Sequence, residues 1–392
     1  MTQINLPLHK LFRSIRHKME KEARDVVKVL SCVFILLVGL FHTSVLFAQL
    51  PTAKQVASQM KTGVNLGNTL EAIGGETAWG AAKTTQALID SIKAAGFNTI
   101  RIPVAWFTHS DTINSIIDEA WMERVAEVVD YCINDELFVI INMHWDKGWL
   151  ENRVNKANKP IVNERLYNYW KQISEYFIDY DEHLLFAGAN EPNVEDATGM
   201  EVLLSYQQTF IDAVRETGGN NASRTLIIQG PSTDIEKTNK LMNILPVDEI
   251  EDRLMVEVHY YTPYQFCLMN QDANWGKMFY YWGKDYHSKT DTQRNATWGE
   301  EKELDRLFGL MKTKFVDKGI PVIMGEYGPM RRSDLTGDSL KLHLASRAYY
   351  LNYVTKQALA NGMMPFYWDN GKGVFNRKNT TVLDQQALDA II

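Results

Sequence analysis

Two glutamates stand at corresponding points of the sequence, each where an apolar run gives way to a turn. Glu191 lies in Asn190-Glu191-Pro192 after the apolar run 184–189, and Glu326 lies in Gly325-Glu326-Tyr327-Gly328 after the run 321–324. We expect both carboxylates to sit on rigid elements at one end of a parallel sheet. Two fixed, partly buried carboxylates can supply the proton donor and the nucleophile or base of glycoside hydrolysis. Either glutamate alone could simply end a strand that faces solvent, but the pair favours catalysis.

The elements that must position these glutamates are short apolar runs, rich in β-branched residues, that alternate with stretches of helical periodicity from residue 60 onward. The runs predict eight strands, over 62–66, 99–104, 138–144, 184–190, 225–229, 254–260, 321–326 and 363–368. Helical spacing between them predicts helices, for example over 85–95 and 119–134. Eight β/α units without a linker indicate an α/β protein with a (β/α)8 TIM barrel as its single catalytic domain. A doubly wound open sheet is the alternative, but the turn after the first strand lacks the glycine spacing of a dinucleotide site.

Polar and aromatic residues stand at the ends of these predicted strands, while the run interiors are mostly aliphatic. In a barrel of this kind the active site lies at the carboxyl ends of the strands. Besides the two glutamates, the candidates on this rim are Asn68, Arg101, His144, Trp145, Asn190, His259, Tyr261 and Trp368. Random placement of polar residues would not segregate in this way, so we predict one functional rim.

The residue types on the rim predict which catalytic role each residue has. One carboxyl must stay protonated through burial or a nearby negative charge, while the other stays ionised beside a cation, for which Arg101 is the candidate. A separation of about 5–5.5 Å would give a retaining mechanism and about 6.5–9.5 Å an inverting one, a choice that the residues leave open. We expect no metal and no other cofactor, because His144 and His259 lack the clustered spacing of metal ligands. Trp368 offers an indole face for a sugar ring.

Tryptophans concentrate on the same rim. Eight of the ten fall at or shortly after predicted strand ends: Trp79, Trp106, Trp145, Trp149, Trp275, Trp282, Trp298 and Trp368. This placement favours a cleft that stacks several sugar units and cleaves a polymer internally, although ordinary loop packing is the alternative. The segment 262–300 is the longest connection and is rich in aromatic residues, so we predict that it forms one wall of the cleft.

The first 48 residues differ from the rest. Basic residues precede an apolar stretch over 29–47 that ends at Ala48-Gln49. The pattern predicts a bacterial export signal over 1–48, cleaved after Ala48, and a secreted, periplasmic or cell-surface catalytic domain over 49–392. The leader is long, so translation could begin at Met19 rather than Met1. An uncleaved stretch could also anchor the protein in a membrane.

The charge balance limits the partners. Seven of the 41 Lys and Arg and three of the 48 Asp and Glu lie in residues 1–48, so the remainder carries a net charge of -11. Such an acidic protein is a poor match for nucleic acid or for anionic membranes. We expect a monomer whose partner is a polysaccharide.

Seven sequence blocks resemble glycoside hydrolase family 5, the large cellulase family. The similarity runs in order from about residue 63 to the end, and the blocks fall on the predicted strand ends: 63–70, 96–104, 142–146, 190–192, 259–261, 325–328 and 367–369. The resemblance implies a (β/α)8 barrel, retention of anomeric configuration, Glu191 as the acid/base and Glu326 as the nucleophile. We expect a raised pKa on Glu191, an ionised Glu326 and a bell-shaped dependence of rate on pH.

The resemblance also implies roles for the other rim residues. Arg101 and Tyr261 would hydrogen-bond the nucleophile, and Asn190 would hold the sugar 2-hydroxyl. His144 and His259 would line the subsite of the cleaved sugar, with Trp368 as its platform. Asn68 and Trp145 are kept as supporting residues of the same rim.

Several functions fit these features. The main expectation is an endo-1,4-β-glucanase that acts on cellulose-type polysaccharides by double displacement. The same chemistry could act on xyloglucan, mixed-linkage glucan, β-mannan or xylan, since the deciding contacts lie in loops. From another class, a non-catalytic barrel could bind glycans without cutting them, but two unused buried carboxylates would be costly.

Overall fold

Eight parallel strands close into a barrel in the computed structural model of the protein, which describes residues 49–392 and, before them, only Lys18, Met19, Lys21, Glu22 and Val26. In chain order the strands are β1 Gly63–Leu66, β2 Thr99–Ile102, β3 Phe138–Asn142, β4 Leu184–Ala187, β5 Leu226–Gln229, β6 Leu254–Tyr260, β7 Val322–Tyr327 and β8 Met363–Asp369. Each strand pairs with its neighbours in sequence, and β1 closes the barrel against β8. The predicted TIM barrel is therefore confirmed.

Helices follow the strands and form the outer layer. They are α1 Ala53–Gln59, α2 Gln86–Ala94, α3 Glu119–Asn134, α4 Lys159–Tyr176, α5 Ala197–Arg215, α6 Ile235–Leu241, α7 Tyr264–Cys267, α8 Glu301–Lys314, α9 Gly337–Ala360 and α10 Gln385–Ile391. α1 precedes β1 and the four-residue α7 lies inside the β6–α8 connection, so eight helices remain, one for each strand. Short 3-10 turns, including Glu151–Arg153 and Pro231–Thr233, shape the connections at the carboxyl ends of the strands.

Alternation along the strands divides the apolar core into two regions. In β3, Phe138 and Ile140 belong to a cluster inside the barrel, whereas Val139 and Ile141 belong to the larger cluster between the strands and the outer helices. This is the period of two that a strand buried on both faces requires. Ala53 and Val56 of α1 join the inner cluster, so this helix covers the amino-terminal end of the barrel.

The predicted strands match the observed ones most closely at β6, where the bounds are identical. At β2, β3 and β4 the predictions continued two or three residues too far, because apolar residues such as Val104, Met143 and Ala189 stay buried although the chain has left the ladder. His144 and Asn190 therefore lie just beyond strands rather than in them. The predicted helix over 119–134 is confirmed. The helix predicted over 85–95 is one residue longer than α2 at each end, and these two extra residues are the caps of α2.

The predicted export signal over 1–48 lies outside the described residues, apart from five isolated positions. Within the described ranges, no helix combines the length and the hydropathy that crossing a bilayer requires.

Candidate active site

Arg101 lies at the centre of the rim, fully buried at the end of β2. Its Nη1 donates to Asn65 Oδ1 at 2.9 Å and to Glu326 Oε1 at 3.1 Å, and its Nη2 donates to Asn190 Oδ1 at 2.8 Å. Its Nε lies 3.0 Å from Glu257 Oε1. Burial lowers the pKa of Arg101, but the two carboxylates raise it by more, so the guanidinium stays charged. One side chain thus fixes groups carried by three strands and by the segment after β4.

Glu326 lies on the floor of the site, at the end of β7, with its side chain 8% exposed. Besides the bond from Arg101, its Oε2 accepts a hydrogen bond from the Tyr261 hydroxyl at 3.0 Å. Burial raises the pKa of Glu326, and this effect exceeds the opposing effects of His259, Arg101 and Tyr261. The carboxylate is therefore held by two donors that fix its direction but leave it costly to charge while the cleft is empty.

His259, near the end of β6, lies between three carboxylates. Its Nδ1 lies 2.7 Å from Glu191 Oε1 and 3.8 Å from Glu326 Oε2, and its Nε2 lies 3.2 Å from Glu257 Oε1. Burial lowers the pKa of His259, but the carboxylates raise it by more, to about 10. The ring is consequently an imidazolium that donates from both nitrogens.

Glu191 follows β4 and is the more open of the two glutamates, with its side chain 44% exposed. Burial of the site raises its pKa, but the hydrogen bond and charge of His259 lower it by more, so the net shift is downward. The expectation of a raised pKa on Glu191 is therefore wrong for the free protein. The reason is His259, which the sequence placed on the rim without indicating which glutamate it would contact.

The two glutamates are close together. An oxygen of Glu191, a nitrogen of His259 and an oxygen of Glu326 all lie within 4.8 Å of one another. By distance alone such a group could hold a cation. Arg101 already supplies a cation to Glu326, and His259 supplies one to Glu191, so each of the two carboxylates contacts a positive group of the protein.

An aromatic floor lies beside the pair. The rings of His144 and Trp368 stack with centroids 5.8 Å apart and planes inclined by 16°. A Cβ at Gly67 would come within 2.7 Å of the Trp368 indole, so only glycine lets the indole lie against this turn. Burial and the charges of Arg101 and His259 lower the pKa of His144 well below its usual value, so this histidine is neutral.

Asn68 and Trp145 lie on the same rim but further from the chemistry. Among the described residues, neither side chain hydrogen-bonds either glutamate. Asn68 turns the chain with φ at 60°, and its N–H binds the buried Glu71 carboxylate. Trp145 is 44% exposed beside His144. The remaining predicted site residues, from Arg101 to Trp368, come together around the two glutamates.

Several residues of the site were missed by sequence reasoning. Glu257 is fully buried and also accepts from Gln229 Nε2 at 2.6 Å. Its signal was present, because Glu257 and His259 are two residues apart in β6 and must share its inner face. Asn65, Glu151 and Thr233 were also missed. Asn65 lies in β1, whereas Glu151 and Thr233 come from two different connections that only the fold brings to the site.

Only some of the tryptophans predicted to line the rim are exposed. Trp106, Trp149 and Trp282 are buried and pack the loops, whereas Trp79, Trp145, Trp275 and Trp298 are exposed. In the cleft wall 262–300 the same division recurs, since Phe266, Phe279, Tyr280, Tyr281 and Trp282 are buried. Tyr264 and Trp275 are exposed there, with ring centroids 6.0 Å apart. Ordinary packing therefore explains about half of the aromatic residues that were assigned to sugar binding.

Comparison with known proteins gives consistent matches. The profile of the family described as "Cellulase (glycosyl hydrolase family 5)" matches residues 62–373. A xyloglucan-specific endo-β-1,4-glucanase from Bacteroides ovatus is 40% identical over 82% of this chain and 65% of its own length. Endoglucanase A from Paenibacillus barcinonensis is 36% identical over 87% of this chain and 90% of its own. This chain thus spans just under two thirds of the first relative and most of the second.

Solved structures give the same picture. A family 5 xyloglucan-specific β-1,4-glucanase from a ruminal metagenomic library, solved in complex with XXLG, superposes with a TM-score of 0.80. It is 42% identical, and the superposition covers 87% of this chain and 95% of that one. The barrel architecture is shared with this enzyme.

Proposed function

Since the chain belongs to glycoside hydrolase family 5, we propose that it is a retaining endo-β-1,4-glucanase that cleaves xyloglucan and related unsubstituted β-1,4-glucans. The observation that carries the mechanism is the approach of Glu191 and Glu326 to within 4.8 Å. An inverting enzyme needs about 6.5–9.5 Å to place a water between its carboxyls, whereas a retaining enzyme needs them close. The Glu191–Glu326 geometry supports double displacement.

In the first step Glu326 attacks the anomeric carbon and forms an ester with the sugar, while Glu191 gives its proton to the departing glycosidic oxygen. In the second step water attacks the anomeric carbon, Glu191 takes the proton of that water, and Glu326 is released as a carboxylate. Tyr261 and Arg101 supply two directed donors to Glu326, which orient the nucleophile. The more exposed Glu191 is placed where a leaving group can depart.

The proton must reach Glu191 before the first step. In the free protein His259 keeps Glu191 ionised through the contact of 2.7 Å. A bound sugar that draws the carboxyl from His259 toward the glycosidic oxygen removes this stabilisation. The desolvation that then remains raises the pKa of Glu191 and favours its protonated form.

The choice of polymer rests on the relatives and on the open rim. Two of the similar proteins are named as xyloglucan-specific, and one is named as an endoglucanase. Xyloglucan is a β-1,4-glucan with xylosyl branches. Its binding therefore needs apolar platforms for the branches in addition to the one that Trp368 offers to the glucan backbone. The exposed Tyr264, Trp275 and Trp298 in the β6–α8 connection offer such platforms. Mixed-linkage glucan, β-mannan and xylan are the competing substrates.

Export and oligomeric state belong to the same proposal. Residues 1–48 support secretion or attachment to the cell surface, and the acidic charge supports a soluble glycan rather than a nucleic acid as partner. We propose that the protein acts as a monomer, because each subunit carries the complete set of site residues.

The test is reducing-sugar release from xyloglucan, carboxymethylcellulose, mixed-linkage glucan, β-mannan and xylan. Wild type should be most active on xyloglucan, and Glu326→Ala should release no sugar above background. Glu175→Ala, which removes an exposed glutamate of α4, is the matched control and should behave as wild type. Products should first appear as the β-anomer in an NMR time course. An inert wild type that still binds xyloglucan would favour a glycan-binding barrel instead.

A further inference from the structure

A third carboxyl lies directly behind the acid/base glutamate. Glu151 begins the 3-10 turn Glu151–Arg153 in the β3–α4 connection and is only 3% exposed. A buried glutamate in a short turn of a rim loop needs a physical reason, because an unpaired carboxylate is costly to bury. Within residues 49–392 its carboxyl forms no ion pair and caps no helix, and it contacts the main chain of the acid/base segment instead.

Three hydrogen bonds join this turn to the segment that carries Glu191. The N–H of Glu191 donates to Glu151 Oε1 at 2.8 Å. The N–H of Asn193 donates to the Glu151 carbonyl at 3.0 Å, and Asn193 Nδ2 donates to Asn152 Oδ1 at 2.6 Å. The segment 190–193 belongs to no helix or strand, so these bonds take the place of a ladder in fixing its backbone.

The carboxyl of Glu151 is well suited to a lasting contact of this kind. Burial, with the nearby charges of Glu191 and Glu326, raises its pKa to about 8, against the lowering effect of the bonds from the Glu191 N–H and Asn190. Below that pH the group is a neutral acid whose carbonyl oxygen still accepts the Glu191 N–H. A neutral acceptor holds the main chain without adding a further negative charge beside the pair.

We propose that Glu151 is a positioning residue for acid catalysis: it fixes the backbone of Glu191, and so the direction from which the proton reaches the glycosidic oxygen. This inference rests on the proposed function of Glu191 as the acid/base. Glu151 has no role in nucleophilic attack, because its carboxyl contacts the Glu191 main chain rather than the cleft.

The leaving group separates this role from simple structural support. A 2,4-dinitrophenyl leaving group departs without a proton, whereas an unactivated sugar leaving group needs one. Loss of acid positioning therefore lowers kcat/KM, which reports the first step, for the unactivated substrate and spares the activated one. A general loosening of the fold lowers both equally.

The experiment measures kcat/KM of the full chain on 2,4-dinitrophenyl β-cellobioside and on a xyloglucan oligosaccharide. Glu151→Ala should lose about 10- to 100-fold on the oligosaccharide and little on the aryl glycoside. Glu151→Gln should recover most of the loss, because its amide oxygen can accept the Glu191 N–H. Glu191→Ala gives the reference pattern for complete loss of the acid.

Asp146→Ala is the matched control. Asp146 lies in the same connection, is 1% exposed and binds the backbone N–H groups of Phe107 and Thr108 rather than that of Glu191. Its removal should lower activity on both substrates by the same factor. If Glu151→Ala does not fold, Glu151→Asp, which withdraws the acceptor by one methylene, makes the same comparison.

Equal losses on the two substrates in Glu151→Ala or Glu151→Asp would overturn the inference, as would a Gln variant no better than Ala. A wild type inert on both substrates would instead reject the proposed function itself, so the two failures are distinguishable.

Discussion

Arg101 and Glu257 form an ion pair at the centre of the barrel, with 3.0 Å between Nε and Oε1 and no exposure of either side chain. Desolvation of two charges offsets much of their attraction, so such a pair contributes little to stability. Its value is geometric. It holds the guanidinium in the orientation from which Nη1 and Nη2 reach Glu326 and Asn190.

Gly325 makes room for this ion pair. A Cβ at that position would lie 1.9 Å from Glu257 Oε1. We expect Gly325→Ala to lower kcat/KM about 100-fold, because a displaced Glu257 carries Arg101 with it, and to cost about 1–3 kcal/mol in the free energy of unfolding. Steady-state kinetics and urea unfolding measure both.

Gly309→Ala is the control for that substitution, since a Cβ there meets nothing within 4 Å and the residue lies inside α8. It should leave activity unchanged and add about 0.5–1 kcal/mol of stability. Wild-type kinetics in Gly325→Ala would show that the Arg101–Glu257 pair does not set the site geometry.

Tyr261→Phe removes one of the two donors to Glu326. A hydrogen bond to a charged group contributes about 1.5–3 kcal/mol, so kcat should fall roughly 10- to 100-fold. The bond from Tyr261 lowers the pKa of Glu326, so its loss raises that pKa and moves the acidic limb of the pH–rate profile to higher pH.

The neighbouring Tyr260→Phe is the control. In the described part of the chain the buried Tyr260 hydroxyl has no hydrogen-bond partner, so its removal should leave both rate and profile unchanged. A Tyr261→Phe profile that coincides with that of Tyr260→Phe would contradict the assigned role of Tyr261.

Arg332 ties the cleft wall 262–300 to the connection after β7. Its guanidinium, 5% exposed as a residue, donates to the carbonyls of Met269 at 2.5 Å and Gln265 at 2.9 Å. Lysine cannot make this forked contact. Arg332→Lys should cost about 1–3 kcal/mol of stability and raise KM for xyloglucan, with little change on an aryl β-cellobioside that needs no wall.

Arg331→Lys is the matched variant, because the Arg331 side chain is 47% exposed. It should resemble wild type in both assays. Equal KM values for the two lysine variants on xyloglucan would show that the segment 262–300 does not contribute to polymer binding.

The stability of the protein should depend on pH through Glu151. Its pKa of about 8 lies above the ordinary value of 4.5, so the folded state holds a proton that the unfolded chain releases between these values. The stabilisation is fully present below pH 4.5 and is lost as pH rises through 8. Glu151→Gln should therefore show a smaller decline in the free energy of unfolding between pH 5 and pH 8, measured by urea titration. Glu175→Gln should retain the wild-type slope, and an unchanged slope in Glu151→Gln would show that Glu151 is ionised in the folded protein.

The barrel and most of its rim were predictable because both depend on short-range pattern. Strands buried on both faces are continuous apolar runs, and their carboxyl ends follow from chain direction. The sequence pattern therefore predicted Arg101, His259 and Glu326 on the same rim. Glu257 could have been added from alternation along β6. The sequence contained what was needed for that step.

Other features could not be predicted because they depend on long-range approach. Glu151 meets Glu191 across 40 residues, and no local pattern marks a turn that will pack behind another loop. The protonation order of the two glutamates likewise depends on whether His259 lies nearer to Glu191 or to Glu326, a difference of 2.7 Å against 3.8 Å. The exposure of each tryptophan also depends on long-range approach, because only the folded loops determine which indoles are buried and which are open to a sugar.

The position of His259 between the two glutamates has a consequence for the electrostatic bookkeeping of the reaction. When the glycosidic bond breaks, one negative charge disappears from Glu326 as the ester forms, and one appears on Glu191 as its proton departs. In the free protein the same imidazolium lies 2.7 Å from one carboxyl and 3.8 Å from the other, so Glu191 can return to it once its proton has left. The total charge of the buried site is constant through the step, and its counterion is already in place at both ends of the transfer. Little of the surrounding protein must therefore reorient while the sugar is transferred from the leaving group to Glu326.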